Sequence, residues 1–499
     1  MKETSFKKRY VFKLVSSIIN AIINTVMVAI VPKYLGPVNY GFFTYFQNFF
    51  SQMIGFLDFG SSTAFFTKLS ADGNRKSLLV FYTLYIFFIF LICIGFVLVI
   101  KFIQIENLFF PYMPHEYIFY GMFFGFLTWL TQICIKISDA YALTVSVEMI
   151  KIFHKLSMLG LIFYIVFNFS LNLQSYFIYQ FISFGVFLLV VLVVFLKSKI
   201  FYDLPRLTPD LFRSISNEFI KFCHPLVVHS VVTGFAAFFD IWLLQKVSGG
   251  AEVGFYGLSY SLVAVTFIFS ASMTPIITRE FSLNYANKNY EALKTQLIKY
   301  SPPLYCIAAF FGVFISFHSS EILQIFVDDK FKGATFALSI MAFYPLHQTY
   351  GQISNGLLYA SSRTNLARNI SLYITPFGIL ISFILIYFFR FGSVGLALKI
   401  VLIQIISVNI SLYFNTKMLG IGIKFFIYHQ IYSVCIFVIL AFFSGFFKFF
   451  ESVLLNFFVF GFFYVCFVII SFLLFPRLLT ADDAKSAVYL QRIKSVFKK

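Results

Sequence analysis

Five polar side chains recur along one face of the first apolar run, Lys13, Ser16, Ser17, Asn20 and Asn24, spaced so that an α-helix carries them as one stripe. Such a stripe either lines a water-accessible cavity or supplies hydrogen bonds between helices. A second stripe, His229, Thr233, Ala236 and Asp240, shares a face of a later run. Asp58 and Asp240 are the carboxylates that stand well inside apolar stretches. A carboxylate held away from water can trade its charge for a proton, which makes both, with His229, candidates for ion coupling. Asp58 has a structural alternative, because Gly60, Ser61 and Ser62 follow it and a carboxylate there can cap a broken helix.

The elements that must position these groups are membrane spans. The chain has 499 residues, is 60% hydrophobic and only 12% charged, and its mean hydropathy is +0.88. Ordinary soluble proteins are about 25% charged, so a soluble enzyme with a single anchor is excluded. The expected fold is all-α and polytopic, with about 14 transmembrane helices at roughly 20 apolar residues each. The 75 Phe and 30 Tyr read as lipid-facing filler that raises hydropathy throughout. Lys2, Lys7, Lys8 and Arg9 precede the first run, which lacks a small-residue cleavage site and reads as a retained signal-anchor.

The net charge of +18 is explained by basic loops on one side of the membrane rather than by nucleic-acid binding. Roughly 30 of the 38 Lys and Arg fall on the side of the N-terminus when the spans alternate, which places both termini in the cytoplasm. The expected organisation is an N-lobe at 1–196, a cytoplasmic linker at 197–218, a C-lobe at 219–416, two further spans at 417–476 and a cytoplasmic amphipathic tail at 477–499. Segment 279–297 and the tail are expected to lie along the membrane surface, the tail with Tyr489, Ile493, Val496 and Phe497 on one apolar face.

An internal repeat supports the two lobes. Lys33, Gly36, Gly41 and Phe42 recur at a constant offset as Lys246, Gly249, Gly254 and Phe255, each set in the turn between the first two spans of its lobe. Parallel repeats of this kind build many transporters around a central path.

The stretch Leu35-Gly36-Pro37-Val38-Asn39-Tyr40-Gly41-Phe42-Phe43, followed by Phe56-Leu57-Asp58-Phe59-Gly60, resembles the N-terminal signature of the Wzx-type O-antigen and capsule flippases. Asp240-Ile241-Trp242-Leu243-Leu244, Gly249 to Tyr256, Gly356 to Leu366 and Gly392 to Leu396 are similar to later motifs of the same polysaccharide transporter family. The resemblance implies the multidrug/oligosaccharidyl-lipid/polysaccharide exporter fold, two six-helix lobes around a central cavity with two added C-terminal helices. It implies a polyprenyl-pyrophosphate-linked oligosaccharide as substrate, flipped from the cytoplasmic to the outer leaflet of a bacterial inner membrane. A polysaccharide polymerase and a chain-length regulator are the implied partners besides the lipid bilayer.

Such a substrate carries a diphosphate, whose oxygens need cationic or N–H partners. Lys13, Lys68, Lys151, Lys155, Arg279, Arg363 and Arg368 stand near the expected cytoplasmic mouth, with Asn20 and Asn24 beside them on the first stripe. Each cation has an alternative role as a positive-inside anchor. Glu148 shares a face with Lys151 and Lys155, so an internal ion pair is equally compatible with that spacing. No cofactor is expected: the seven His and six Cys show no metal-ligand spacing, and no GxxxxGK[ST] loop for ATP occurs. The membrane potential favours outward movement of negative charge by about 2.3 kcal/mol per 100 mV. Two rival readings stand beside the flippase: a drug or organic-cation antiporter of the same fold, and a membrane polysaccharide polymerase or glycosyltransferase.

Overall fold

The computed structural model describes residues 6–72 and 75–479. The expected surface helix at 480–499 lies outside the described residues. Among them, eleven helices are long and apolar enough to cross a membrane, and the fold is all-α.

The difference from the expected spans has three local causes. α1 runs Phe6–Asp58 as one helix in which only Gly36 leaves helical geometry. Its apolar part alone, Ile19–Asp58, has 40 residues, about 60 Å against a hydrocarbon core of about 30 Å, so it holds two crossing lengths joined at Gly36 without a loop. The expected external turn is therefore a kink. The apolar stretch 253–277, long enough for a single span, is broken into α8 (Gly250–Ala264) and α9 (Phe267–Ala286). The hydroxyl of Thr266 donates to the Val263 carbonyl at 2.7 Å, the local bond by which Thr competes with the helix ladder. The stretch 334–359, also long enough for a single span, divides likewise into α11 (Thr335–Met341) and α12 (Tyr344–Ala360), with Pro345 opening the second piece.

Between these, α2 is Ser61–Ala71, α3 Ser77–Ile103, α4 Ile118–Ala140, α5 Thr144–Asn168, α6 Leu173–Lys197 and α7 Pro209–Ser248. α10 is Tyr290–Phe317, and α13 to α16 are Thr364–Ser382, Gly392–Met418, Ile423–Ser444 and Val453–Leu474. Segment 279–297 is not a surface helix of its own. Its halves continue α9 and begin α10, separated by a turn at Asn287 to Asn289.

The helices form two compact units, Met1–Gly254 and Phe255–Lys499. In unit 1, α1 packs on α4, α5 and α7. Its aromatic rings are core as much as filler: Phe46, Phe50, Phe110 and Phe177 are fully buried. Gly121 and Gly125, one turn apart on α4, leave the space that Phe46 and Phe50 of α1 occupy, the small-residue device of membrane interfaces. α7 opens with Thr208 as N-cap and Pro209 at its first turn. Its amino-terminal part rests on α3, where the Phe81 ring meets Phe212 and Phe219 at a tilt, with centroids 5.3 and 5.2 Å away. The segment before it is tied down by Lys76, whose ammonium donates to the Tyr202 carbonyl at 2.5 Å.

In unit 2, α12 packs on α9, α10 and α14. Tyr305, Tyr350 and His429 are buried together, and the Leu478 carbonyl accepts from Cys306 Sγ at 3.0 Å and lies 3.0 Å from His429 Nε2. This anchors the last described turn into the core of the unit.

Candidate functional site

The stripe of α1 meets α5. Ser16 donates to the carboxylate of Glu148, Asn20 Nδ2 donates to Ser16 Oγ at 3.0 Å, and Lys155 Nζ donates to Asn24 Oδ1 at 2.8 Å. Lys151 Nζ lies 3.4 Å from Glu148. The pairs 16 with 148 and 24 with 155 advance together, so the two helices run parallel and the spacing of one stripe matches that of the other. Ser16, Asn20 and Glu148 are buried, Lys151 and Lys155 are half-buried, and Asn24 is exposed. Among the described residues, the seam thus holds two ammonium groups against one carboxylate. Asn20 Oδ1 is buried without a protein donor, an acceptor that water or a ligand hydroxyl would satisfy.

The hydrogen-bonding reading of the α1 stripe has a physical basis at Ser16 and Asn20. Further along it, Asn24 is exposed and Lys155 is half-buried. The side chains of Lys13 and His229 lie outside the described residues.

Asp58 ends α1 at a break where Phe59 and Gly60 take positive φ of 46° and 79°. Its Oδ1 accepts from Ser62 N at 3.1 Å, Ser61 Oγ at 3.0 Å and Tyr82 OH at 3.2 Å, and its Oδ2 accepts from Ser62 Oγ at 2.8 Å. This is the capping geometry that the Gly-Ser-Ser sequence suggested. Lys136 Nζ in turn donates to Ser62 Oγ at 2.7 Å, placing a cation one hydroxyl away from the carboxylate. Asp240 is buried in α7 and is not without a partner.

Lys68 is engaged by Glu218. Its Nζ donates to Oε1 at 2.5 Å, and Arg75 binds the same carboxylate through two N–H groups at 2.7 and 3.2 Å. The hydrogen bonds from Arg75 and then Lys68 pull the Glu218 carboxyl down to about 2. Lys68 is thus partly neutralised.

In unit 2, Arg279 is exposed on α9 next to Thr278, whose hydroxyl lies where a Cβ on Gly356 of α12 would be, 2.5 Å away. Arg363 and Arg368 are half-buried around the start of α13, and the guanidinium of Arg368 donates to Asn369 Oδ1 at 3.2 and 3.3 Å.

Sequence reasoning passed over three charged groups that the structure brings into prominence. Lys136 was legible as a lone cation in the last turns of an apolar run. Lys399 is buried within α14 and could have been noticed on the same ground. Glu218 carries no local signal, because its partners are more than 140 positions away.

The fold is the one seen in solved structures of MOP superfamily transporters. Its structure is similar to a lipid II flippase, MurJ, in an inward closed conformation, with a TM-score of 0.67 and 17% identity over 93% of this chain and 98% of that one. It is also similar to an inward-facing multidrug resistance MATE family transporter, with a TM-score of 0.58 and 14% identity over 81% of this chain and 94% of the other. A MOP superfamily transporter from Pyrococcus furiosus matches with a TM-score of 0.57 and 14% identity over 85% and 97%. At the level of sequence, a curated relative is the probable low-salt glycan biosynthesis flippase Agl15 of Haloferax volcanii, 27% identical over 204 residues. That match spans 40% of this chain and 42% of the relative. No protein-family model matches the chain.

Proposed function

We propose that this chain is a flippase for a lipid-linked glycan, moving a polyprenyl-pyrophosphate-linked oligosaccharide from the cytoplasmic to the outer leaflet by alternating access. The observation that carries this reading is the α1–α5 seam, where, among the described residues, Lys151 and Lys155 face a stripe of amide and hydroxyl groups with Glu148 as the one carboxylate against them. A net cationic, hydrogen-bonding surface at membrane depth suits an anionic, hydroxylated headgroup. The partial relationship to a glycan flippase and the fold shared with a lipid II flippase support it.

On this reading Lys13, Asn20, Asn24, Lys68, Lys151, Lys155, Arg279, Arg363 and Arg368 form the headgroup-binding set. Asp58, Asp240 and His229 form the ion-coupling set, and an ion gradient or the membrane potential supplies the drive. Both termini lie in the cytoplasm and the chain resides in the plasma membrane, with O-antigen or capsule repeat units as cargo. The domain scheme of two lobes joined by the segment 197–218 belongs to the same proposal.

The test is reconstitution into liposomes with a fluorescent polyprenyl-pyrophosphate glycan, reading its exposure to an external glycosidase. Arg279→Ala or Arg363→Ala should slow exposure about tenfold or more, the loss of one charge-assisted hydrogen bond, with protein abundance unchanged. Normal flipping in both variants removes those residues from the mechanism. Transport of a lipophilic organic cation with no movement of the glycan lipid would favour the antiporter instead.

A further inference from the structure

Unit 1 holds a pocket of about 600 Å³ between α3 and α7, beside the break that follows Asp58. Phe81, Tyr85 and Phe219 wall it with ring surface, while Phe88 and Ile220 form its lips and are 57% and 62% exposed. Phe88 lies within the apolar span Ser77–Ile103, where the medium is hydrocarbon, so the opening on the α3 side is lateral; Ile220 precedes the apolar span of α7, Ser230–Ser248. The opposite wall is the irregular backbone from Asp58 to Ser61. Irregular backbone at membrane depth persists where protein or a cavity covers it.

Two features decide the chemistry of an occupant. The carboxylate in the wall already accepts four hydrogen bonds and has Lys136 behind Ser62, so it offers little to a cationic ligand. On α7, Glu218 stands between the lining residues Ser216 and Phe219, and Lys68 and Arg75 both bind its carboxylate, so the trio beside the pocket carries one net positive charge. An apolar bore with a cationic rim complements an amphiphile that has a hydrocarbon chain and an anionic head.

We infer that this pocket seats the isoprenoid chain of a polyprenyl phosphate lipid, entering from the bilayer between α3 and α7 with its phosphate beside Lys68 and Arg75. This rests on the reading that the substrate is polyprenyl-linked, and adds where its lipid would be held.

The experiment uses the purified full chain in nanodiscs with a polyprenyl phosphate carrying a photoreactive group near the end of its chain, followed by peptide mass spectrometry. Crosslinks should fall on peptides around Leu84 to Phe88 and Ile220 to Val227. Unlabelled polyprenyl phosphate should compete, and phosphatidylglycerol should not. Alkylation of Cys223, which lines the pocket, by an apolar maleimide should slow in the presence of polyprenyl phosphate. The filling variants Leu84→Trp and, separately, Val227→Phe should weaken labelling about tenfold, the equivalent of roughly two buried methylene groups. Labelling elsewhere, or equal competition by phosphatidylglycerol, overturns the inference. If the pocket is labelled while no glycan lipid is flipped, the inference stands and the flippase reading falls. If glycan lipid is flipped without labelling here, the reverse holds.

Discussion

Gly36 and Gly249 adopt the same backbone conformation, φ 74° with ψ 167° and φ 84° with ψ 177°, at matching positions of the internal repeat. This region of φ and ψ is open essentially to glycine alone. A Cβ at either site would meet nothing within 4 Å, so the requirement is purely conformational. Gly36→Ala or Gly249→Ala should each cost about 1–3 kcal/mol, read as a fall in thermal midpoint in detergent.

Gly41 and Gly254 follow at the same offset but for a different reason. A Cβ on Gly41 would fall on the carbonyl oxygen of Gly250, and one on Gly254 on that of Pro37. Because Gly250 and Pro37 are themselves repeat counterparts, the two contacts are reciprocal, as a local two-fold relationship requires. Either alanine variant should destabilise more than Gly36→Ala does, since backbone must move to admit it. Equal thermal midpoints for the two classes of variant would count against this close approach.

Glu148 is the carboxylate on which the α1–α5 seam turns. Glu148→Ala leaves Lys151 beside a vacated, mostly buried site and should lower stability by about 3 kcal/mol. The double variant Glu148→Ala with Lys151→Ala should lose less than the sum of the two single losses, because the second change removes the unpaired charge. Additive losses in a double-mutant cycle would show that the two groups do not interact.

Asp58 separates capping from ion coupling by a conservative change. Asn keeps an acceptor for Ser62 N, whereas Ala removes it, so Asp58→Ala should cost about 1–2 kcal/mol and Asp58→Asn less than half of that. If Asp58 also exchanges protons, Asp58→Asn should abolish any dependence of flipping on an imposed pH gradient while the protein stays folded. A variant that keeps the dependence assigns Asp58 to capping alone.

Glu218 supplies a pH dependence of known sign. Arg75 and Lys68 hold its carboxyl down to about 2, below the usual carboxylate range near 4.3. The clamp is therefore fully present above about pH 5 and is lost as pH falls from about 4.5 toward 2. Because the pair is partly solvated, its contribution is about 1 kcal/mol or less. Glu218→Gln should flatten this part of the stability profile, with little change in its slope above pH 6.

The sequence by itself determined the solvent, the helical class and the repeat, because each follows from local rules: the length of apolar runs, the period of the polar stripe, and glycines at a constant offset. The polar stripe on α1 was also legible, since one helix carries it. What only the tertiary structure decided was what each polar group meets. Glu148 with Ser16, Glu218 with Lys68 and Arg75, and Lys136 with Ser62 join positions 74 to 150 residues apart. A hydrogen bond is a property of two atoms brought within about 3 Å, and no period within one segment records which segment will supply the second.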